Sequence, residues 1–109
     1  MSLIEVCQVS DVPKGTMKSC SVNGKQVCIS NIDGKVYAID NVCSHAGGDL
    51  SKGKLEGNMV ICPNHGSKFD VTTGKCIAGA KIGFFRIKGK DETPYEVEIE
   101  GNKIKIRVD

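Results

Sequence analysis

No apolar run in this chain approaches the ~20 residues that a membrane span needs. The opening residues, Met1-Ser2-Leu3-Ile4-Glu5-Val6, lack a basic region and a long apolar stretch, so no secretory signal is expected and the cytoplasm is the expected compartment. Neither sign of charge dominates. Fifteen Lys and Arg stand against thirteen Asp and Glu, a net +2, and they are interspersed rather than clustered. That excludes a nucleic-acid footprint. Residues 51–109 are mildly basic, with eleven cations against eight anions, which fits a solvated surface of mixed charge. There is no helical stripe of convincing length, no repeat at a fixed period and no low-complexity segment. Histidine is scarce: the chain has two.

What is present is a single domain, residues 1–109, with enough apolar content (39%) for one core. Thirteen glycines fall largely at turn positions. Asn23-Gly24 and Asp33-Gly34 are two-residue hairpin signals flanked by strand-forming segments. The first joins Thr16–Val22 to Lys25–Asn31, and the second leads on to Lys35–Ile39. Gly57-Asn58 joins Lys54–Glu56 to Met59–Ile61, and Thr73-Gly74 marks another tight turn. A loop at Gly101-Asn102 sets Glu100 against Lys103, Ile99 against Ile104, Glu98 against Lys105, Val97 against Ile106, Glu96 against Arg107 and Tyr95 against Val108. One face of that hairpin is apolar and the other carries three opposite-charge pairs; a slip by one residue would turn the apolar set to water. The expected class is all-β, short antiparallel strands forming a sandwich or open barrel.

Two stretches break the strand rhythm, Asn41–Gly53 and Cys62–Phe69, and each holds one of the two histidines. The first contains Cys43-Ser44-His45-Ala46-Gly47-Gly48 and the second Cys62-Pro63-Asn64-His65-Gly66-Ser67. Six cysteines in a reducing compartment point to metal or redox chemistry rather than disulfides. Two thiolates and two imidazoles form an N₂S₂ set that suits zinc or iron–sulfur chemistry, not Ca²⁺ or Mg²⁺. Structural zinc usually takes C-x₂₋₄-C followed by H-x₃₋₅-H; the order here is Cys, His, Cys, His, so a zinc-stabilised binding module stays open beside a cluster. Cys7, Cys20, Cys28 and Cys76 have no nearby His and are expected to pack as small hydrophobes. Cys20 and Cys28 fall out of register for a disulfide in their hairpin. Asp49 and Asp70 flank the two boxes as turn-forming or solvated residues. Of the adjacent Phe84 and Phe85, one faces the core and the other is left for a bend or a partner.

Cys-x-His followed by Cys-x₂-His, with Gly-Ser behind the second His, resembles the paired boxes of Rieske proteins, and nearly the whole chain follows that pattern. The resemblance implies an antiparallel β-sandwich with a small inserted cluster-binding subdomain of two loops, at approximately residues 41–83. It implies one 2Fe–2S cluster per chain, with Cys43 and Cys62 on one iron and His45 and His65 on the other. Replacing two thiolates by neutral imidazoles makes the oxidised centre neutral and therefore easier to reduce. The extra cysteines of the respiratory members fall at Gly48 and Asn64, so their disulfide is absent. Ser67 matches a Ser that hydrogen-bonds a bridging sulfide, whereas Phe69 stands at a Tyr position and has no hydroxyl. These departures imply a low to intermediate potential, somewhat above the ~−150 mV lower end of the Rieske range. Ala78-Gly79-Ala80-Lys81 lacks the proline of the family's covering loop. Leu50, Pro63 and Ala80 are candidates for shielding the centre, and Lys52, Lys68 and Lys81 for scattered charge around it. The implied function is that of a soluble one-electron carrier, not an enzyme, served by a reductase donor and an oxygenase or other redox acceptor. A relay subunit of a larger oxidoreductase is the alternative.

Overall fold

The computed structural model describes residues 2–43, 48–64, 66–82, 84–87 and 90–108. The described residues form thirteen strands: β1 (Ser2–Gln8), β2 (Met17–Val22), β3 (Lys25–Ile32), β4 (Lys35–Asp40), β5 (Lys54–Glu56), β6 (Met59–Ile61), β7 (Lys68–Asp70), β8 (Cys76–Ala78), β9 (Ala80–Ile82), β10 (Phe85–Ile87), β11 (Pro94–Tyr95), β12 (Val97–Glu100) and β13 (Lys103–Val108). All their pairings are antiparallel. They assemble as β1-β13-β12, β11-β4-β3-β2, β5-β6-β7-β8 and the β9–β10 hairpin. The all-β expectation holds.

The β2–β3 and β3–β4 turns are of the kind that twists with the strands, because both central residues take positive φ: Asn23 at 50° and Gly24 at 80°, then Asp33 at 53° and Gly34 at 95°. Only Gly, Asn and Asp adopt this conformation readily, which is why the sequence announces these turns. The register sets Cys20 opposite Val27 and Cys28 opposite Ser19, as expected, and no disulfide joins them. Five consecutive residues of β3, Val27 to Asn31, are buried. A strand covered on both faces accounts for that run. Val27 and Ile29 point into a core shared with Val22, Val36, Ala38, Ile104 and Ile106, which closes the sandwich against β13. Cys28 points the other way, into a second core with Ile39, Leu50, Val60, Phe69, Val71 and Cys76 beneath the small β5–β8 sheet.

The terminal hairpin keeps the expected register from Glu100↔Lys103 to Val97↔Ile106. Of its ion pairs, Arg107–Glu96 forms as expected at 3.0 Å, whereas Lys105 reaches diagonally to Glu100 at 2.8 Å in place of Glu98, which lies 3.9 Å from Arg107. Lys and Arg side chains are long enough to span a diagonal as well as a direct pair, and the exposed strand face leaves that choice open. Its inner face is also less uniform than expected: Ile104 and Ile106 are fully buried, yet Ile99 on the edge strand is 49% exposed. Tyr95 leaves the hairpin altogether. It pairs with Ala38 of β4, and its hydroxyl donates to the Asp40 carboxylate. Two elements lie beyond the turn signals: β1, which pairs with β13 at the far end of the chain, and the β9–β10 hairpin. Phe84, in the turn of that hairpin, is fully exposed. Ala78 and Ala80-Lys81 belong to strands β8 and β9 rather than to a covering loop.

Candidate metal centre

Two turns carry the candidate ligands, and they are closed in the same way. The Cys43 N–H donates to the Gly48 carbonyl at 2.8 Å, and the Cys62 N–H donates to the Ser67 carbonyl at 2.8 Å. In both, the cysteine caps a loop whose fifth residue onward returns to it. The first loop leaves β4 and is pinched at its neck by a bridge between Val42 and Asp49 and by the Leu50 N–H on the Asn41 carbonyl. The second leaves β6 and re-enters at β7, and the Gly66 N–H also turns back onto the Cys62 carbonyl at 3.1 Å. This second break ends at Ser67, one residue before β7 begins, and so is shorter than the Cys62–Phe69 stretch read from the sequence.

Asp49 holds the first neck together. Its carboxylate accepts from the Asn41 amide at 2.6 Å, the Ser51 hydroxyl at 2.6 Å and the Ser51 N–H at 3.1 Å, capping a short 3₁₀ turn at Leu50–Lys52. Burial by itself raises its pKa; the Ser51 and Asn41 hydrogen bonds outweigh that and hold the carboxyl below its usual range. Asp70 does the same for the turn after β7, accepting from the Thr72 N–H and hydroxyl. Both aspartates are thus turn-forming, as expected. Sequence reasoning missed Asn41, which is buried and ties Asp49 to the Ser51 N–H; an Asn eight residues before an Asp-x-Ser is too loose a signal to find it.

The two loops meet. Cys43 and Cys62 are each only 2% exposed and lie in one core cluster. Gly48 of the first loop abuts the second: a Cβ there would lie 3.0 Å from the Cys62 Sγ and 3.0 Å from the Asn64 side chain. A side chain at residue 48 would press on that sulfur, so the glycine lets the first loop lie close against the second. Gly48 and Asn64, where a disulfide would stand in respiratory members, are in contact and contain no sulfur. Ser67 is fully buried behind Cys62. Phe69 is fully buried in the second core and contributes no hydroxyl. Leu50 packs in that core, while Pro63 is exposed. His45 and His65 lie outside the described residues, as do the side chains of Ala80 and Lys81. Among the described residues no three His, Cys, Asp or Glu gather as a metal site. Of the remaining cysteines, Cys20, Cys28 and Cys76 are buried and Cys7 is half-buried.

Two buried sulfurs on adjoining loops fit the sulfur half of a two-loop centre. Their donor chemistry fits an iron–sulfur core, whose irons favour thiolate ligands. The sequence matches the Rieske [2Fe-2S] domain over residues 2–83.

The chain belongs to the Rieske family.

A ferredoxin component of naphthalene 1,2-dioxygenase/salicylate 5-hydroxylase systems from Ralstonia sp. is 33% identical over 106 residues, covering 97% of this chain and 95% of that protein. The ferredoxin of carbazole 1,9a-dioxygenase from Nocardioides aromaticivorans IC177 superposes with a TM-score of 0.83 at 26% identity, covering 97% of both chains. A complex of reduced oxygenase and oxidized ferredoxin in carbazole 1,9a-dioxygenase contains a chain that matches with a TM-score of 0.78 at 26% identity, covering 95% of this chain and 91% of that one. The cofactor of this Rieske domain is a 2Fe–2S cluster. Family membership sets aside the zinc module that the ligand count alone left open. Among the described residues of this Rieske domain no helix is long and apolar enough to cross a membrane.

Proposed function

We propose that this Rieske domain is a cytoplasmic one-electron carrier that receives an electron from a reductase and delivers it to an oxygenase acting on an aromatic ring. The meeting of the two loops at Gly48 and the Cys62 sulfur carries this reading. Ferredoxin components of dioxygenase systems over nearly the whole length of the chain support the choice of partners. Cys43 and Cys62 hold one iron and His45 and His65 the other, within a subdomain of about residues 41–83. When bound, the cluster supplies a site that takes up and returns a single electron.

The chain's own residues shape that site. The near-complete burial of Cys43 and Cys62 keeps water from the thiolates. The Asn41–Asp49–Ser51 hydrogen bonds and the Gly48–Cys62 contact fix the distance between the loops. Ser67, fully buried beside the second loop, would offer its hydroxyl to a cluster sulfur, which would favour the reduced state.

Iron and acid-labile sulfide analysis of the purified protein tests this directly. Two irons and two sulfides per chain are expected, with a visible spectrum that bleaches on dithionite and returns in air. A colourless protein, or one zinc and no sulfide, would overturn the reading. His45→Cys and His65→Cys are each expected to lower the potential while keeping a cluster; no change in either would remove that histidine from the ligand set.

A further inference from the structure

The charges in this molecule are sorted, although the totals hide it. Residues 41–90, which contain both loops and strands β5 to β10, carry eight Lys and Arg against three Asp and Glu, a balance of +5. The rest of the chain carries seven against ten, a balance of −3. Two of the three acids in the basic segment, Asp49 and Asp70, spend their carboxylates on internal hydrogen bonds. These two carboxylates keep their charge but are not free to pair with a lysine, so the segment's balance stays at +5.

One place concentrates this positive charge beside the centre. A cleft of about 450 Å³ is lined by Lys52, Gly53, Lys54 and Glu56 on one side and by Ile61, Cys62 and Pro63 on the other. Gly53 builds it: a Cβ there would lie 1.9 Å from the Ile61 carbonyl oxygen, so only glycine lets the chain between Lys52 and Lys54 press against the end of β6. β5 is the edge strand of its sheet, so nothing in that sheet covers its outer side. Lys52 and Lys54 are exposed, and Pro63 and the half-buried Ile61 offer an apolar floor. Glu56 tempers the charge without cancelling it.

We propose that this cleft docks an acidic segment of the protein that exchanges electrons with this domain, with carboxylates on Lys52 and Lys54 and an apolar side chain against Ile61 and Pro63. The proposal rests on the carrier reading and deepens it: the partner presents negative charge, and the contact lies against Cys62. Small, transient electron-transfer contacts gain speed and orientation from such complementarity rather than from area.

A hexaglutamate peptide coupled by carbodiimide to the oxidised, cluster-loaded protein tests the site without using its activity. Adducts mapped by mass spectrometry are expected at Lys52 and Lys54 about fivefold or more above those at the exposed Lys18, Lys25 and Lys103. The preference is expected to vanish in about 0.5 M NaCl, where screening acts within roughly 4 Å. Even labelling, or chain-to-chain adducts in place of peptide adducts, would overturn it. A second arm oxidises the reduced protein with ferricyanide and, separately, with tris(phenanthroline)cobalt(III). Lys52→Gln with Lys54→Gln is expected to slow the anionic oxidant about threefold or more and to speed the cationic one. If both oxidants are served at rates the variants leave unchanged, the docking proposal falls and the carrier reading stands. If neither oxidant receives an electron, the carrier reading itself falls.

Discussion

Single residues in this domain act through what they lack as often as through what they carry. Phe69 fills the second core but has no hydroxyl to offer, so of the pair expected behind the second box only Ser67 retains one. Ser67→Ala is expected to lower the potential by tens of millivolts. The lost hydrogen bond is worth about 1 kcal/mol, and a tenfold change is 59 mV for one electron. A redox titration of wild type and variant measures the difference, and an unchanged potential would place the hydroxyl away from the centre. Cys28 shows the other side of burial. Its burial pushes the thiol up to about 12, the Ser30 hydroxyl opposing and the Asp49 charge adding. Because the folded state keeps this proton, its contribution is fully present below the ordinary thiol range. It is lost as pH rises from about 9 toward 12, while the unfolded chain ionises. Wild-type stability is therefore expected to fall with pH in that window about 1.4 kcal/mol per unit more steeply than that of Cys28→Ala, read from urea midpoints. Both candidate thiol ligands were legible in the sequence because each shares a short box with a histidine. The hydrogen-bonding role of Asn41 was not, because it depends on where the chain returns ten residues later.

Elements follow the same logic. The hairpins at Asn23-Gly24, Asp33-Gly34, Gly57-Asn58 and Gly101-Asn102 were readable since a turn residue of special conformation fixes the register of what flanks it. β1 was not readable, since its partner β13 lies about a hundred residues away, no turn announces it, and no residue of it is fully buried. The β9–β10 hairpin escaped for a related reason: its strands have three residues each, too few to show an alternation. The diagonal ion pairs of β12 and β13 show the limit of register alone, which fixes Cα partners but not the reach of a lysine. Two glycines separate space from strain. Gly53 has an ordinary negative φ of −82° but no room, while Gly57 has room on all sides but a φ of +57°. Gly53→Ala is expected to cost about 1–3 kcal/mol or more and to disturb the visible spectrum, because it pushes the Cys62 loop. Gly57→Ala is expected to cost about 1 kcal/mol and to leave the spectrum unaltered. Urea unfolding with absorbance of the loaded protein distinguishes them, and equal costs would contradict the close approach at Ile61.

At the scale of the whole molecule, two cores share one central sheet, with β3 contributing Val27 and Ile29 to one and Cys28 to the other. Neither core can be lost without exposing a face of the strand that serves both. Unfolding in urea is therefore expected to show one transition, with far-ultraviolet dichroism and visible absorbance changing together. Two separated transitions would show that the loop-bearing layer melts alone. Phe69→Ala is expected to destabilise the protein by about 3–5 kcal/mol and to reduce iron content on purification.

The double coverage of β3 also bears on the thiols. Ile29 never touches either sulfur, yet it seats the strand against which Ile39 and Cys28 support the loops. Exchanging Ile29 for a smaller aliphatic residue is therefore expected to loosen the backing of both thiols from the far side of the sheet, where no ligand motif reaches.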